Sequence, residues 1–255
     1  MEVKKIIPSH KRADNVTTTK VVDNCILCVA ESQAEDYRHY NQCEIVTHPD
    51  NVIGINAKRQ WILEHWRNDA IIMLDDDIVS FRRMYRPPDR NYPRKSTIPS
   101  DLACEIIDHV ADACLEIGAK MFGFASHCNP QTFQPLRPFG LGGYIPGGCL
   151  GFLPNHGLNF DKYVTYIGCD YYICAINAHF NRYAWIDRRF AFEFRKTYDN
   201  PGGMSEFRGA DGEEKGREWL IKMFGSRVIS LPQKTPWTKN KKNAAGRSLK
   251  IPWHV

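Results

Sequence analysis

Three consecutive carboxylates provide the clearest chemical signal in the sequence. Asp75, Asp76 and Asp77 directly follow the apolar run at residues 71–74. Neighbouring carboxylates repel one another, so the arrangement is costly unless a cation or hydrogen-bond donors offset the charge. On an extended backbone Asp75 and Asp77 share one side, and such a pair suits Mg²⁺ or Mn²⁺, which prefer oxygen ligands. The alternative is a solvated loop with three independent acids.

The elements around the carboxylates are predicted from apolar periodicity. Short apolar runs predict strands at residues 3–7, 25–30, 44–47, 70–74 and 121–125. Helical patterns predict helices at residues 14–22, 32–40, 54–67 and 100–117, with Asp14 and Ser100 as N-caps and Gly118 as terminator. This alternation predicts an α/β fold with a mostly parallel sheet flanked by helices. Ligands of such sheets bind outside the carboxyl ends of the strands, where the three carboxylates lie.

A different pattern begins after residue 126. Residues 128–157 are rich in Gly and Pro, which predicts loops with room for one hairpin. Residues 168–181 predict a buried helix, and residues 195–216 predict a polar loop before a short helix that ends at Phe224. Because no linker divides the chain, we predict a single domain over residues 1–231 and a basic tail over 232–255.

Composition and charge exclude several classes of protein. The chain has 255 residues, 43% hydrophobic and 25% charged, which is ordinary for a globular domain and excludes a disordered one. The net charge of +5 is unevenly spread, because eight Lys or Arg residues and no acid follow Glu218. No run approaches the roughly 18 apolar residues of a membrane helix, and Pro8 interrupts the N-terminus before a signal sequence. We therefore predict a cytoplasmic protein without membrane association.

The nine cysteines predict buried, reduced thiols. Their number is odd and their spacing follows no disulfide framework, as expected in a reducing compartment. Cys25 and Cys28 form a C-x-x-C pair, but on a strand their side chains point to opposite faces. No second pair follows at zinc-site spacing, so the sequence excludes a zinc knuckle.

Two motifs precede the carboxylates, and together the three resemble glycosyltransferases of the GT-A fold. The opening IIPSHKR resembles the first strand and turn of that fold, and GINAKRQW at residues 54–61 resembles the helix start beside its nucleotide. The resemblance implies a UDP-sugar donor and a Mn²⁺ or Mg²⁺ ion held by Asp75 and Asp77. It assigns donor contacts to Pro8, Ser9, His10, Arg12, Glu31, Asn56, Arg59, Asp75 and Asp76.

Several of these donor contacts have a structural alternative. Arg12, Lys58 and Arg59 suit a diphosphate, which Arg can bind through two parallel hydrogen bonds, but each could be an ordinary surface cation. Glu31 suits the uracil or ribose, or else it is an acid favoured by a helix N-terminus. The resemblance also divides the domain into a nucleotide-sugar half, about residues 1–126, and an acceptor half, about residues 127–231.

The acceptor side is predicted from two later segments. GGYIPGGCLGF resembles the acceptor loop of the fold and assigns acceptor contacts to Tyr144, Gly147 and Gly148, with an ordinary glycine turn as the alternative. Asp170 resembles the second acid of the family's Glu-Asp motif, although Cys169 replaces the Glu. In an inverting reaction Asp170 would take the proton of the acceptor hydroxyl, whereas a retaining reaction needs no such base. The alternative role of Asp170 is an N-cap.

Two basic blocks indicate a polyanionic partner. The first follows the carboxylates, and the second is the tail, where Trp237 and Trp253 lie among lysines. Phosphates bound by charge and bases stacked on aromatic rings suit DNA, whereas solubilising charge or a lid over the diphosphate is the alternative. The first block consists of Arg82, Arg83, Arg86, Arg90, Arg94 and Lys95.

The compact length, the DDDI motif and the basic blocks are similar to those of the TET-associated glycosyltransferases of bacteriophages over residues 1–180. This resemblance implies transfer of a hexose, expected to be glucose, from a UDP-sugar to 5-hydroxymethylpyrimidine bases such as hydroxymethylcytosine, or to sugars already on them. The partner would be double-stranded phage DNA in the host cytoplasm. The alternatives are a GT-A glycosyltransferase for a polysaccharide, lipid or protein, and a catalytically silent nucleic-acid-binding protein on this fold.

Overall fold

The computed structural model describes residues 1–85, 97–162, 168–195, 210–230 and 248–249, which form an α/β domain around one large sheet. The strands are β1 (Lys4–Pro8), β2 (Cys25–Ala30), β3 (Glu44–His48), β4 (Ile71–Leu74), β5 (Ile78–Arg83), β6 (Met121–Phe124), β7 (Phe139–Gly140), β8 (Cys149–Phe152), β9 (Trp185–Asp187), β10 (Phe190–Phe194), β11 (Ile229–Ser230) and β12 (Ser248–Leu249). The helices are α1 (Ala34–Tyr40), α2 (Ile55–His65), α3 (Ser100–Glu116), α4 (Cys169–Phe180) and α5 (Ala210–Phe224).

The central sheet has eight strands in the order β3-β2-β1-β4-β8-β6-β9-β7. Strands β1 to β4 pair in parallel, and β6 pairs in parallel with β9. Strand β8 lies antiparallel between β4 and β6, and β7 lies antiparallel to β9 at the edge. The predicted α/β class with a mostly parallel sheet is confirmed, and the architecture is consistent with a GT-A-like fold.

The sheet is buried on both faces, which explains the continuous apolar runs of β1, β2 and β4. One core cluster contains Cys25 and the other contains Cys28, so the two side chains of the C-x-x-C pair point to opposite faces as predicted. All nine cysteines are free thiols. Within the residues that the structure describes, no helix is long and apolar enough to cross a bilayer.

The predicted helix at residues 14–22 is wrong. Two 3-10 turns replace it, at Ala13–Asn15 and Thr18–Lys20, and Asp14 lies inside the first turn instead of capping a helix. The segment is rich in β-branched residues, which lose side-chain freedom in a helix. The hydroxyl of Thr18 bonds the backbone of the carboxylate turn instead, donating to the carbonyl oxygen of Asp75 at 2.5 Å.

The N-cap assigned to Ser100 is also wrong. Pro99 occupies the cap position of α3, Ser100 is its first helical residue, and no side chain caps the helix. The terminator was predicted correctly, because Gly118 follows the helix with φ +74°.

The Gly- and Pro-rich segment forms no local hairpin. Its strands β7 and β8 pair with distant strands, because the apolar CLGF sequence of β8 fits between β4 and β6. The pair of β5 and β10 escaped prediction as well. Helix α5 begins at Ala210, inside the segment predicted as a loop. Arg195 is also described, but residues 196–209 of that loop, the first basic block from Arg86 onward, and all of the tail except β12 lie outside the described residues.

Candidate active site

A cavity of about 720 Å³ lies at the carboxyl ends of the parallel strands. Segments that follow β1, β2, β3, β4 and β6 line it, because the ends of parallel strands meet at one edge of the sheet. The N-termini of α2 and α4 and the loop before β8 complete the wall.

Most of the residues predicted for the site line this cavity, but Glu31 and Asn56 do not. Glu31 is exposed on a 3-10 turn, and its neighbours Ser32 and Gln33 line the wall instead. Asn56 lies in the first turn of α2 and is buried. The lining includes Pro8, Ser9, His10, Arg12, Arg59, Asp75, Asp76, Asp77, Tyr144, Gly147, Gly148 and Asp170.

The backbone of the three carboxylates is held in a turn between β4 and β5, and the triplet does not continue the strand. The amide of Asp75 donates to the carbonyl of Gly148 at 3.1 Å, and the carbonyl of Asp76 accepts from the amide of Thr17 at 2.9 Å. The carbonyl of Asp77 accepts from the amide of Arg195 at 3.0 Å. Each of the three aspartates is therefore held in place by a backbone hydrogen bond to a different segment of the chain.

Asp76 is largely buried in a polar network that forms part of the cavity wall. Its carboxylate accepts a hydrogen bond from the hydroxyl of Ser9 at 2.5 Å and one from Nη1 of Arg12 at 2.9 Å. The hydroxyl of Tyr37 lies 2.6 Å from that of Ser9. The Arg12 guanidinium offsets the buried charge, and hydrogen bonds satisfy the carboxylate, as a buried ion needs.

Arg59 connects the carboxylate turn after β4 to the loop before β8 and to the start of α4. Its Nη2 donates to the carbonyl of Gly147 at 2.6 Å and lies 3.3 Å from Oδ1 of Asp75. Its Nη1 lies 2.8 Å from Sγ of Cys169, at the start of α4. Arg59 is buried and lines the cavity. Its positive charge offsets the negative charge of the Asp75 carboxylate.

Lys58 is a buried cation in the same wall. Its Nζ donates to the carbonyl of Ser9 at 2.5 Å, and only 5% of the residue is exposed. Burial lowers the pKa of the ammonium to about 8, since desolvation disfavours the charged form. Lys58 therefore fixes the turn after β1 and titrates close to neutral pH.

Asp75 and Asp77, the metal ligands predicted from the sequence, both line the cavity. Among the described residues, no group of three or more His, Cys, Asp or Glu side chains makes a ready metal site. Mg²⁺ keeps several waters and is commonly held by about one or two carboxylates together with substrate phosphates. Two carboxylates on a cavity wall, with Asp75 39% exposed, match a cation that binds together with a diphosphate.

Two helix N-termini face the cavity. Gly54 and Gly168 occupy the cap positions of α2 and α4 with φ of +87° and +115°, a backbone region that glycine adopts without strain. Both glycines line the cavity, as do Ile55 and Cys169 directly after them. First-turn amides and the helix dipole favour anions, so this wall suits a phosphate-bearing ligand.

Gly148 is required by close packing. A Cβ atom there would lie 2.3 Å from a ring carbon of Phe194 and 3.0 Å from Oδ2 of Asp75. At Gly147 a Cβ atom would lie 3.2 Å from Nη1 of Arg59 and 3.3 Å from Cβ of Asp170. The loop before β8 therefore approaches both acids more closely than a residue with a side chain could.

Asp170 lies in the first turn of α4, but it does not cap the helix. Gly168 holds the cap position, and Oδ1 of Asp170 accepts from the amide of Tyr171 at 2.9 Å. The hydroxyl of Tyr144 donates to Oδ2 of Asp170 at 2.5 Å, and the rings of Tyr144 and Tyr171 stack at 4.5 Å. Burial and the nearby carboxylate raise the pKa of Tyr144, so its hydroxyl stays protonated and keeps donating.

Several cavity residues escaped prediction. His48 ends β3 and Asp50 follows it, and Ser126 and His127 follow β6, so the rule of carboxyl strand ends could have found them. Phe194 ends β10, a strand that the sequence did not reveal. Burial lowers the pKa of His48, which therefore lines the wall as a neutral ring.

Comparison with known proteins identifies one family. A family model described as TET-Associated Glycosyltransferase matches residues 3–202. The matched stretch includes every described residue that lines the cavity, from Pro8 to Phe194. No curated protein matches the chain.

Proposed function

The chain belongs to the TET-associated glycosyltransferase family, and we propose that it transfers a hexose from a UDP-sugar to 5-hydroxymethylpyrimidine bases of duplex DNA, or to sugars already on them. Glucose is the sugar we expect. The observation that carries the proposal is the arrangement of the acids around one cavity: Asp75 and Asp77 on the β4 side, and Asp170 on the α4 side.

The donor occupies the wall made by the ends of β1 and β4 and the start of α2. Asp75 and Asp77 would hold Mn²⁺ or Mg²⁺ there. When bound, the cation offsets the negative charge that develops on the leaving diphosphate. The two helix N-termini add to the same effect at the cavity wall. Ser9, Arg12 and Asp76 shape the wall beside the nucleotide, because their side chains bond one another.

Asp170 acts as the base of an inverting displacement. It takes the proton of the acceptor hydroxyl while that oxygen bonds to C1 of the sugar, and the bond from C1 to the diphosphate oxygen breaks. UDP leaves with the electron pair of that bond. Tyr144 orients the carboxylate of Asp170 through its hydrogen bond, and Tyr171 places a stacked ring beside it. Gly147 and Gly148 let the acceptor loop approach both acids.

The mass of the nucleoside product tests the proposal directly. The protein is incubated with UDP-glucose or another UDP-hexose, Mn²⁺ and hydroxymethylated duplex DNA, and the DNA is then digested to nucleosides. We expect a nucleoside heavier by one hexose residue. Absence of that product with every donor would contradict the DNA acceptor, and transfer to a polysaccharide, lipid or protein instead would assign a different acceptor.

The variant Asp77→Ala distinguishes two hypotheses, a metal-dependent enzyme and a catalytically silent DNA-binding protein. We expect the variant to lose metal-dependent turnover and to keep its affinity for DNA, because Asp77 lines the donor side of the cavity. Asp101→Ala is the matched control, since Asp101 is an exposed acid on α3 that does not line the cavity. Unchanged turnover of Asp77→Ala would overturn the metal site.

A further inference from the structure

An exposed apolar loop leaves the cavity wall and returns to it. Ser126 and His127 line the cavity, as does Tyr144, and the chain between them projects outward. We call residues 133–141 of this connection the apolar loop. Leu136 at its centre is 96% exposed, and Phe139 and Leu141 are 39% and 51% exposed. Three large apolar side chains exposed within six residues are more than the scattered exposure that surfaces ordinarily show.

The sheet register places the apolar loop at the edge that bears the cavity. Asp187, the last residue of β9, pairs with Phe124 of the parallel strand β6 and with Phe139 of the antiparallel strand β7. The start of β7 therefore lies at the carboxyl edge, and the residues before it, including Leu136, extend beyond that edge. Only β9 separates β7 from β6, so the lateral offset is about two strand spacings, or ~10 Å.

Aromatic contacts anchor the apolar loop on both sides of Leu136. The ring of Phe139 stacks on Trp185 at 4.8 Å, and the guanidinium of Arg189 lies 4.8 Å from the same ring. On the other side, the ring of Phe133 lies 6.2 Å from that of Tyr85. The contacts of Phe133 and Phe139 thus anchor the loop on either side of Leu136, which itself stays exposed.

Charge around the apolar loop favours a polyanion. Residues 126–148 contain no Asp or Glu, and the exposed Arg137 follows Leu136 directly. The amide of Arg188 donates to the carbonyl of Pro138 at 2.8 Å, which fixes a second arginine against the loop. An exposed apolar side chain flanked by arginines suits DNA as a partner. The arginines can bind phosphates, and the apolar side chain can insert between neighbouring base pairs.

We propose that the apolar loop docks on duplex DNA and inserts Leu136 into the base stack while the modified base enters the cavity. The inference rests on the proposed function, because it requires DNA as the acceptor. Asp170 is only partly exposed and lies beside two stacked tyrosines, so a base that stays within the duplex does not reach it. Extrusion of a base costs free energy because pairing and stacking are lost, and a wedge that fills the vacated space offsets part of that cost.

Leu136→Ala is compared with the wild type on hydroxymethylated duplex DNA and on the single strand of the same sequence. We expect kcat/KM on the duplex to fall by roughly tenfold, with little change on the single strand, which needs no extrusion. The fluorescence of 2-aminopurine beside the modified base should rise with the wild type and remain low with the variant. Leu115→Ala is the matched control, because Leu115 is a 49% exposed leucine on α3.

The outcomes separate this inference from the proposed function. Equal losses on duplex and single strand, or no loss on either, would overturn the wedge while leaving the glycosyltransferase intact. If Leu136→Ala lost binding to anionic lipid vesicles but acted on DNA like the wild type, the apolar loop would be a membrane contact, and the wedge would be overturned. If the wild type modifies neither DNA form, both proposals fail.

Discussion

Asp75, Asp76 and Asp77 share a side-chain type, but their surroundings separate their roles. All three line the cavity, but Asp76 is buried and accepts from Ser9 and Arg12, whereas Asp75 and Asp77 are only partly buried. A buried carboxylate satisfied by two protein donors has less capacity left for a metal than a more exposed one. We therefore expect Asp76 to fix the turn after β1 against β4 and leave its two neighbours for the ligand.

The base proposed at Asp170 can be tested with a substitution that keeps its shape. Asp170→Asn should reduce kcat by about 10²–10⁴-fold, the usual contribution of a general base, while UDP still binds. Single-turnover kinetics and calorimetric titration with UDP measure the two effects. Tyr144→Phe keeps the stacked ring and removes only the hydrogen bond, so its loss should be smaller. Wild-type turnover by Asp170→Asn would indicate another base or a retaining reaction.

The lowered pKa of Lys58 should make the free energy of unfolding depend on pH. Its folded-state pKa of about 8 lies below the ordinary 10.5, so the unfolded state binds more protons between these two values. Stability from this group therefore rises with pH across that window, by at most about 1.4 kcal/mol per pH unit. Below pH 8 the lysine is charged in both states, and the cost of burying the ammonium is fully present.

Urea unfolding of the wild type and of Lys58→Met, measured from pH 7 to 10, isolates this contribution. The wild type should gain stability relative to the variant as the pH rises above 8. The thiol groups titrate in both proteins, so their effects largely cancel in the difference. A difference that does not change with pH would contradict the lowered pKa.

At the scale of elements, the acceptor loop and β8 decide how the two sides of the cavity meet. Strand β8 pairs with β4, and the carbonyl of Gly148 just before it accepts from the amide of Asp75. The following pair, β10 with β5, brings the ring of Phe194 against Gly148. The donor acids and the acceptor loop are thus joined by backbone pairing, which makes their separation insensitive to side-chain motion.

Gly148→Ala should disturb this junction. Its Cβ would lie 2.3 Å from the Phe194 ring, and such overpacking costs about 1–3 kcal/mol of unfolding free energy. Phe194→Ala should relieve the clash, so the double variant should be more stable than the two single effects predict. Urea unfolding of the wild type, both single variants and the double variant measures this coupling. Additive effects would show that Phe194 does not limit the space at Gly148.

At the scale of the whole molecule, one edge of the sheet gathers the features that bear on function. The cavity and the apolar loop lie at the carboxyl edge, and Arg82 and Arg83 of the first basic block lie on β5, directly after the carboxylate turn. The family match ends at residue 202, whereas the acid-free basic segment follows Glu218. We expect that segment to add phosphate contacts to a catalytic domain that precedes it.

Replacing Lys239, Lys241 and Lys242 by Gln tests the tail. The affinity for duplex DNA should fall, and the slope of log K against log salt should decrease by up to about 0.9 for each lysine that meets a phosphate. Hydrolysis of the UDP-sugar without acceptor should stay unchanged. Lys4 begins β1, and Arg67 and Lys120 precede β4 and β6, so all three lie at the opposite edge and their triple Gln variant is the control. Equal salt slopes for both triple variants would contradict a tail that binds DNA.

The sequence alone determined the features that depend on neighbouring residues. Apolar runs predicted β1, β2, β3, β4 and β6, and the position of the carboxylates after β4 predicted the edge at which the cavity lies. Periodicity and chemical type act over a few residues, so a single chain reveals them. The same reasoning missed the 3-10 turns before β2, because hydrogen bonds of Thr17 and Thr18 to the distant carboxylate turn override the local pattern.

Only the tertiary structure decided which distant residues share the cavity. Arg59 meets Cys169 across 110 residues of chain, and Ser9 meets Asp76 across 67. Such contacts depend on the strand order, above all on the position of β8 between β4 and β6. The sequence of a Gly-rich segment does not reveal with which strands it will pair. The sequence therefore determined which acids follow β4 and what chemistry to expect of them. The pairing of strands decided that Asp170, Tyr144 and Gly148 face them across one cavity.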